Sequence, residues 1–281
     1  MMQKVKRGGL ALSLILIISI SFCGFEFIKH EKFQQDRIAG LEDRVAGLED
    51  RIAKIEDRIA SLEGKVNLLQ AESNKSAVDW DSDDCNYLAI GNSITIHPLN
   101  EYWWNECGMA ATTAENDYVH LVASALDAKF YAYNFATWEI MGHDRGEILS
   151  LLDGLLSEEL DLVTIQLSEN TSDLSTFESD FEELIRYVQK GAPDAQILVI
   201  GDFWDKELKD EMKQKACEEI GVEFISLDEI KGLEEYQCGM GTTVYDSDGG
   251  PHTVEHAGVA DHPSDLGMKR IAEKIIDVVK E

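Results

Sequence analysis

Apolar and polar positions follow three successive rules along the chain. From position 8 to 25, "GGLALSLILIISISFCGF", no side chain is charged. Between 37 and 70, apolar residues recur at alternating spacings of three and four: Ile38, Leu41, Val45, Leu48, Ile52, Ile55, Ile59, Leu62, Val66 and Leu69. After Asn86, short apolar runs alternate with stretches of helical periodicity. The runs at 87–90, 130–134, 160–167, 196–201 and 222–227 predict strands,. The periodic stretches at 117–126, 145–156, 175–189, 206–220 and 264–280 predict helices,. "LDLVTIQL" and "QILVIG" are apolar on both faces, as central strands of a parallel sheet must be,. This alternation predicts an α/β fold, a three-layer α/β/α sandwich around a five-stranded parallel sheet.

The same pattern divides the chain into a basic start and transmembrane signal-anchor (1–28), a coiled-coil stalk (29–72), an acidic linker (73–85) and an α/β domain (86–281). The apolar run sits at the short end of the roughly 17–25 residues that span a bilayer as a helix. Lys4, Lys6 and Arg7 precede it, which keeps the start cytoplasmic and places the rest outside a single-pass cell-membrane protein,. A cleaved signal peptide shares the basic start and apolar run. Phe22, Phe25 and Phe27 crowd the far end, where cleavage wants small residues, and favour retention.

The stalk reads "RIAGLED RVAGLED RIAKIED RIASLEG", near-copies of one heptad. With Ile38 at position a, Arg37, Arg44, Arg51 and Arg58 stand at g, and Glu42, Glu49, Glu56 and Glu63 at e. Every g–e pair is attractive in a parallel homo-oligomer, so self-association through residues 37–70 is expected. β-Branched residues dominate a, and d mixes leucine with Ile55, which leaves dimer and trimer both open,.

Charge narrows the function. The chain carries 25 Lys+Arg against 54 Asp+Glu, a formal net charge of −29. Such a surface repels phosphate backbones and has no polybasic grip on anionic lipid, so no nucleic-acid partner is expected. Cys85, Cys107, Cys217 and Cys238 lie downstream of the anchor with no CxxC or Cys/His metal spacing. Either two disulfides or free thiols fit them. "YDSDGG", 245–250, lacks the ligand pattern of a calcium loop and reads as an acidic turn,.

The candidate chemistry starts at "YLAIGNSITIHP", where Ser93 follows the first strand. In open α/β sheets ligands bind beyond the C-terminal strand ends. Ala136 follows the second strand, Asn170 follows the third, and His262 precedes the last helix. Taken alone, Gly-x-Ser is ordinary turn material. "GNSIT", however, resembles the first block of the SGNH hydrolases, the GDSL-type esterases and lipases. "HPSDLGMKRIAEKI" resembles their last block, Asn170 matches the asparagine of the third, and Ala136 stands where the second has glycine.

The resemblance covers about residues 86–281 and implies a flavodoxin-like SGNH fold that hydrolyses esters without metal or cofactor. It makes Ser93 the nucleophile and His262 its base. The backbone N–H groups of Ser93 and Ala136 and the Asn170 amide would form an oxyanion hole. The sequence departs from the family at Val259, where an aspartate usually orients the histidine. Three accounts remain open: a shifted loop that recruits Asp261, an acid from elsewhere such as Glu255, or a Ser-His dyad held by a backbone carbonyl.

Trp103 and Trp104, with Tyr102, and Trp138 form either a substrate-binding wall or part of the core. His252 and His256 read as solvated loop residues or as neighbours of the site, and Asn116 as lying near a helix cap,. Two functions follow. One is a membrane-anchored extracytoplasmic esterase acting on a small-molecule or glycan ester, with O-acetyl groups on carbohydrate as substrate. The other is a catalytically inactive SGNH-fold binding module displayed as a coiled-coil oligomer.

Overall fold

The computed structural model describes residues 78–80, 85–204 and 208–280. The expected anchor and coiled-coil stalk, and most of the linker, lie outside the described residues. Among those described, no helix is long and apolar enough to cross a membrane.

Five parallel strands form the central sheet in the order β2-β1-β3-β4-β5. They are β1 Cys85–Gly91, β2 Ala128–Asn134, β3 Leu162–Gln166, β4 Gln196–Ile200 and β5 Glu223–Ile225. Each matches a predicted apolar run with its ends trimmed or extended slightly. The helices are α1 Tyr118–Leu126, α2 Ala136–Ile140, α3 Phe177–Gly191, α4 Lys209–Ile220, α5 Ala257–Ala260 and α6 Asp265–Lys280. A small antiparallel hairpin pairs β6 Thr243–Tyr245 with β7 Pro251–Thr253.

Successive residues of a strand point to opposite faces, and this sorts the core into two halves. Leu88, Ile90, Val163, Ile165, Ile197 and Val199 face α3 and α4. Tyr87, Ala89, Leu198 and Ile200 face α1 and α6. The sheet is therefore the middle layer of an α/β/α sandwich. The order in which strands are added reverses at β1, whose neighbours are β2 on one side and β3 on the other. Gly91 pairs with Asn134 and with Gln166, so these three strands end at one level and their following loops share one rim.

One local expectation is corrected. The stretch after α2 is a 3₁₀ helix, Gly142–Leu152, instead of an α-helix over 145–156. Its buried leucines Leu149 and Leu152, with Leu155 beyond, recur every third residue, a spacing that threefold winding stacks on one side,. Asn116 lies beside the α1 cap, as expected: the cap is Asp117, accepting from His120 N at 2.8 Å, while Asn116 bonds Thr112 and Asp265. The four cysteines left open by the sequence are free thiols.

α2 is short, and its C-terminal carbonyls need partners. Arg145, with 0% exposure, supplies them: its guanidinium donates to the carbonyls of Trp138, Glu139 and Asp173 and pairs with Asp180 at 2.8 Å. Removing one member of such a buried pair leaves an uncompensated charge. Arg145→Ala is expected to lower stability by about 3–5 kcal/mol. Urea unfolding measures this, and a loss below about 1 kcal/mol would show that the guanidinium does not hold α2 in place.

Candidate active site

The site begins where β1 runs out. A Cβ on Gly91 would lie 1.8 Å from Thr95 Oγ1 and 2.9 Å from the Gln166 carbonyl, so only glycine lets the next turn fold back over the strand end,. Asn92, fully buried, holds that turn. Its Oδ1 accepts from Ile94 N at 3.0 Å, and its carbonyl accepts from Thr95 N and Ile96 N. Ser93 is thereby held at the head of the turn, and its carbonyl accepts from Met109 N at 2.8 Å.

Ser93 Oγ lies 2.7 Å from His262 Nε2, across a separation of 169 residues. The imidazole comes from the loop between α5 and α6, and its Nδ1 lies 2.6 Å from the Gly258 carbonyl. A carbonyl can only accept, so Nδ1 carries the proton and Nε2 presents a lone pair to the serine hydroxyl. Trp204 clamps the same loop. Its indole N–H donates to the Asp261 carbonyl at 2.9 Å, and its ring meets the imidazole edge-on at 4.9 Å. His262 is 8% exposed, and burial pushes its pKa down to about 4. The Gly258 carbonyl opposes that shift, and nearby His97 and His256 add to it.

Asp261 is therefore not the orienting acid. Its side chain is exposed, its backbone carbonyl is what Trp204 uses, and Nδ1 of the neighbouring imidazole is already committed to Gly258. Glu255 is exposed too. Glu255 precedes α5 and Asp261 follows it, and both side chains face water, where a charge keeps its hydration,.

Of the other predicted residues, Asn170 is held by a buried carboxylate. Glu139 on α2 is 1% exposed and accepts from Asn92 Nδ2 at 3.0 Å, Ser168 N at 2.6 Å and Asn170 Nδ2 at 2.6 Å. Burial raises its pKa, against the pull of these N–H donors. Ala136 opens α2, but its N–H is engaged with Asn134 Oδ1 at 3.1 Å. Among the described residues nothing accepts from Ser93 N–H.

Ser168 sits at φ 120, a strained value for a residue with a side chain,. It is pinned from the far side by a buried ionic group. Its hydroxyl donates to Asp202, its carbonyl accepts from Lys209 Nζ at 2.5 Å, and Lys213 Nζ pairs with Asp202 at 2.6 Å.

Of the three tryptophans left open between a substrate-binding wall and the core, two belong to the core. Trp138 has 0% exposure and packs edge-on against Phe177 and Phe181, and Trp103 has 1% exposure. Asn100 Oδ1 accepts from the N–H groups of Tyr102 and Trp103, a tight loop that turns Trp103 inward. Trp104 remains half-buried, stacked on His252 at 4.3 Å, and Tyr102 stacks on His256 at 4.2 Å. His252 is anchored by Asp246 at 2.9 Å, so it is not simply a solvated loop residue. Asp246 also accepts from the N–H groups of Asp248 and Gly250, which uses the "YDSDGG" carboxylate in its own hairpin turn. Among the described residues no acid, histidine or cysteine cluster could hold a metal.

Sequence reasoning missed Glu139 and the clamp by Trp204. A glutamate followed by isoleucine in a short helix carries no mark of burial, and a tryptophan after the fourth strand carries no mark of a bond to a carbonyl near residue 262.

No protein-family model matches the chain, and no curated protein does. Similar solved structures include a family two carbohydrate esterase from Clostridium thermocellum in complex with cellohexaose, 18% identical, over 70% of this chain and 63% of that one, with a TM-score of 0.45. Others are a phospholipase A1 from Streptomyces albidoflavus (15% identical, 70% and 98% covered, TM-score 0.44) and an extracellular lipase from Streptomyces rimosus (14%, 70% and 98%, TM-score 0.42). The chain thus spans less than two thirds of the carbohydrate esterase's length, 63%.

The depressed basicity of His262 is directly measurable. In an NMR titration its ring protons should move with a midpoint near 4, where an unperturbed histidine titrates near 6.5,. The imidazole then stays neutral down to that pH and is protonated only below it. A midpoint of about 6 or higher would contradict the buried, carbonyl-bound geometry.

Proposed function

We propose that the α/β unit is a serine ester hydrolase of the SGNH type, working by a Ser93–His262 dyad. The observation that carries this reading is the 2.7 Å contact between Ser93 Oγ and His262 Nε2, with Nδ1 protonated against a carbonyl. A serine hydroxyl is a poor nucleophile until a base takes its proton. His262 Nε2 takes it as Oγ adds to the ester carbonyl, and the same proton passes to the departing alcohol. Water then repeats the sequence on the acyl-enzyme.

The tetrahedral oxyanion would be met by Ser93 N–H and the Asn170 amide, each worth about 3–4 kcal/mol. Ala136 N–H joins them only by leaving Asn134 Oδ1. The missing carboxylate is less damaging than in a serine-protease triad. There, exchanging it for an amide costs about 10⁴-fold, because the imidazole then adopts the wrong tautomer. A carbonyl cannot donate, so the tautomer here is safe. What it lacks is negative charge beside the imidazolium.

The same reading takes residues 8–25 as an uncleaved anchor and 37–70 as a parallel coiled coil that holds the unit outside the cell membrane. Acetylated glycans are then the substrates within reach, with Trp104 at the rim as a stacking surface. The uncharged apolar run and the heptad support this placement, as does the resemblance of "GNSIT" and "HPSDLGMKRIA" to esterase blocks.

Ser93→Ala should lower p-nitrophenyl acetate turnover by at least about 10³-fold and abolish fluorophosphonate labelling. Unchanged turnover would remove Ser93 from the mechanism. Asp261→Asn should stay within about threefold of wild type in kcat/KM, whereas a loss approaching 10⁴-fold would restore that carboxylate as the orienting group. Protease treatment of intact cells should release the α/β unit; its survival until lysis would place it on the inner side of the membrane.

A further inference from the structure

Glu139 is a carboxylate deep in the protein without a cation. Among the described residues no lysine, arginine or histidine pairs with it, and Arg145 reaches only its backbone carbonyl, at 3.3 Å. Every partner of its oxygens is an N–H donor: Asn92 Nδ2, Ser168 N, Asn170 N at 3.4 Å and Asn170 Nδ2 at 2.6 Å. A protonated carboxyl would aim an O–H at one of these donors, so the surroundings call for the anion. The arrangement also decides which way Asn170 faces. An acceptor-only partner takes the nitrogen end of the amide, and one of the two Nδ2 hydrogens is spent on it. The second hydrogen of that nitrogen remains, on a residue that is itself exposed at the rim.

We propose that Glu139 is a positioning residue of the site, its carboxylate fixing the Asn170 amide so that the second Nδ2–H meets the substrate oxyanion. This rests on the esterase reading. It adds that the hole is preorganised by an anion one step removed from the substrate. Charge-assisted hydrogen bonds are stronger than neutral ones, and a donor held in place before reaction needs no reorganisation during it. Glu139 itself touches no reacting atom.

Glu139→Gln separates this from simple support of the fold. A glutamine amide can turn either end toward Asn170, which frees the amide to flip. With p-nitrophenyl acetate as probe, kcat should fall about 10²–10³-fold while KM stays within about threefold, the loss expected for one disabled oxyanion donor. Made again on an Asn170→Ala background, the same change should cost less than about threefold, because Glu139 acts through the asparagine already removed. A loss that multiplies in full on that background, or a Glu139→Gln enzyme within threefold of wild type, overturns the proposal. Should Glu139→Gln not fold, the wild-type protein decides by NMR. The two Asn170 side-chain amide protons should be widely separated in shift, one of them slow to exchange, and an averaged, fast-exchanging pair overturns it. Absence of Ser93-dependent turnover in the wild type would instead refute the esterase reading.

Discussion

A carboxylate withdrawn from water must be surrounded by donors, and meeting that demand for Glu139 organises this molecule's rim. Its oxygens collect Asn92 from the end of β1 and Ser168 and Asn170 from the end of β3, while Glu139 itself belongs to the helix that follows β2. Three loops that the sheet merely brings to one level are thus tied together by one side chain. Arg145 secures the same short helix from below. An unpaired buried charge would be costly, so these partners are held as a set and do not sample positions independently.

On the opposite flank a second buried group does related work. Asp202, Lys209 and Lys213 hold Ser168 in a backbone conformation that it would not adopt freely. Strain of about 1–3 kcal/mol at such a position persists only where its neighbours over-determine it. Asn170 thus follows closely on a residue held from several sides, while Tyr102 stacks on His256 and Trp104 on His252.

Much of this was legible in the sequence, for identifiable reasons. β3 and β4 are apolar on both faces, and nothing but a central parallel strand accounts for such runs between helical stretches. Ser93 and His262 are legible because each borders an element of strong period and stands in a stretch, "GNSIT" or "HPSDLGMKRIA", that resembles an esterase block. The failures share a cause as well. Trp103 and Trp138 look equally suited to a rim and a core, and only the Asn100 turn and the Phe177–Phe181 pair send them inward. Asp261 stands next to the histidine in sequence, but the turn after α5 points the two side chains apart. Glu139, Lys209 and Lys213 carry no mark of burial in the sequence, because burial of an ion depends on partners far along the chain.

The group that orients the imidazole is a main-chain oxygen, that of Gly258, and this has an evolutionary corollary. No amino-acid substitution can delete it, and no change of acidity can neutralise it, since a peptide carbonyl does not ionise in the physiological range. Position 259, one residue further on, needs no acid and holds a buried valine, which packs there. What becomes vulnerable instead is the path of the chain: an insertion or deletion within 256–262 would misdirect the ring even though every side chain survived.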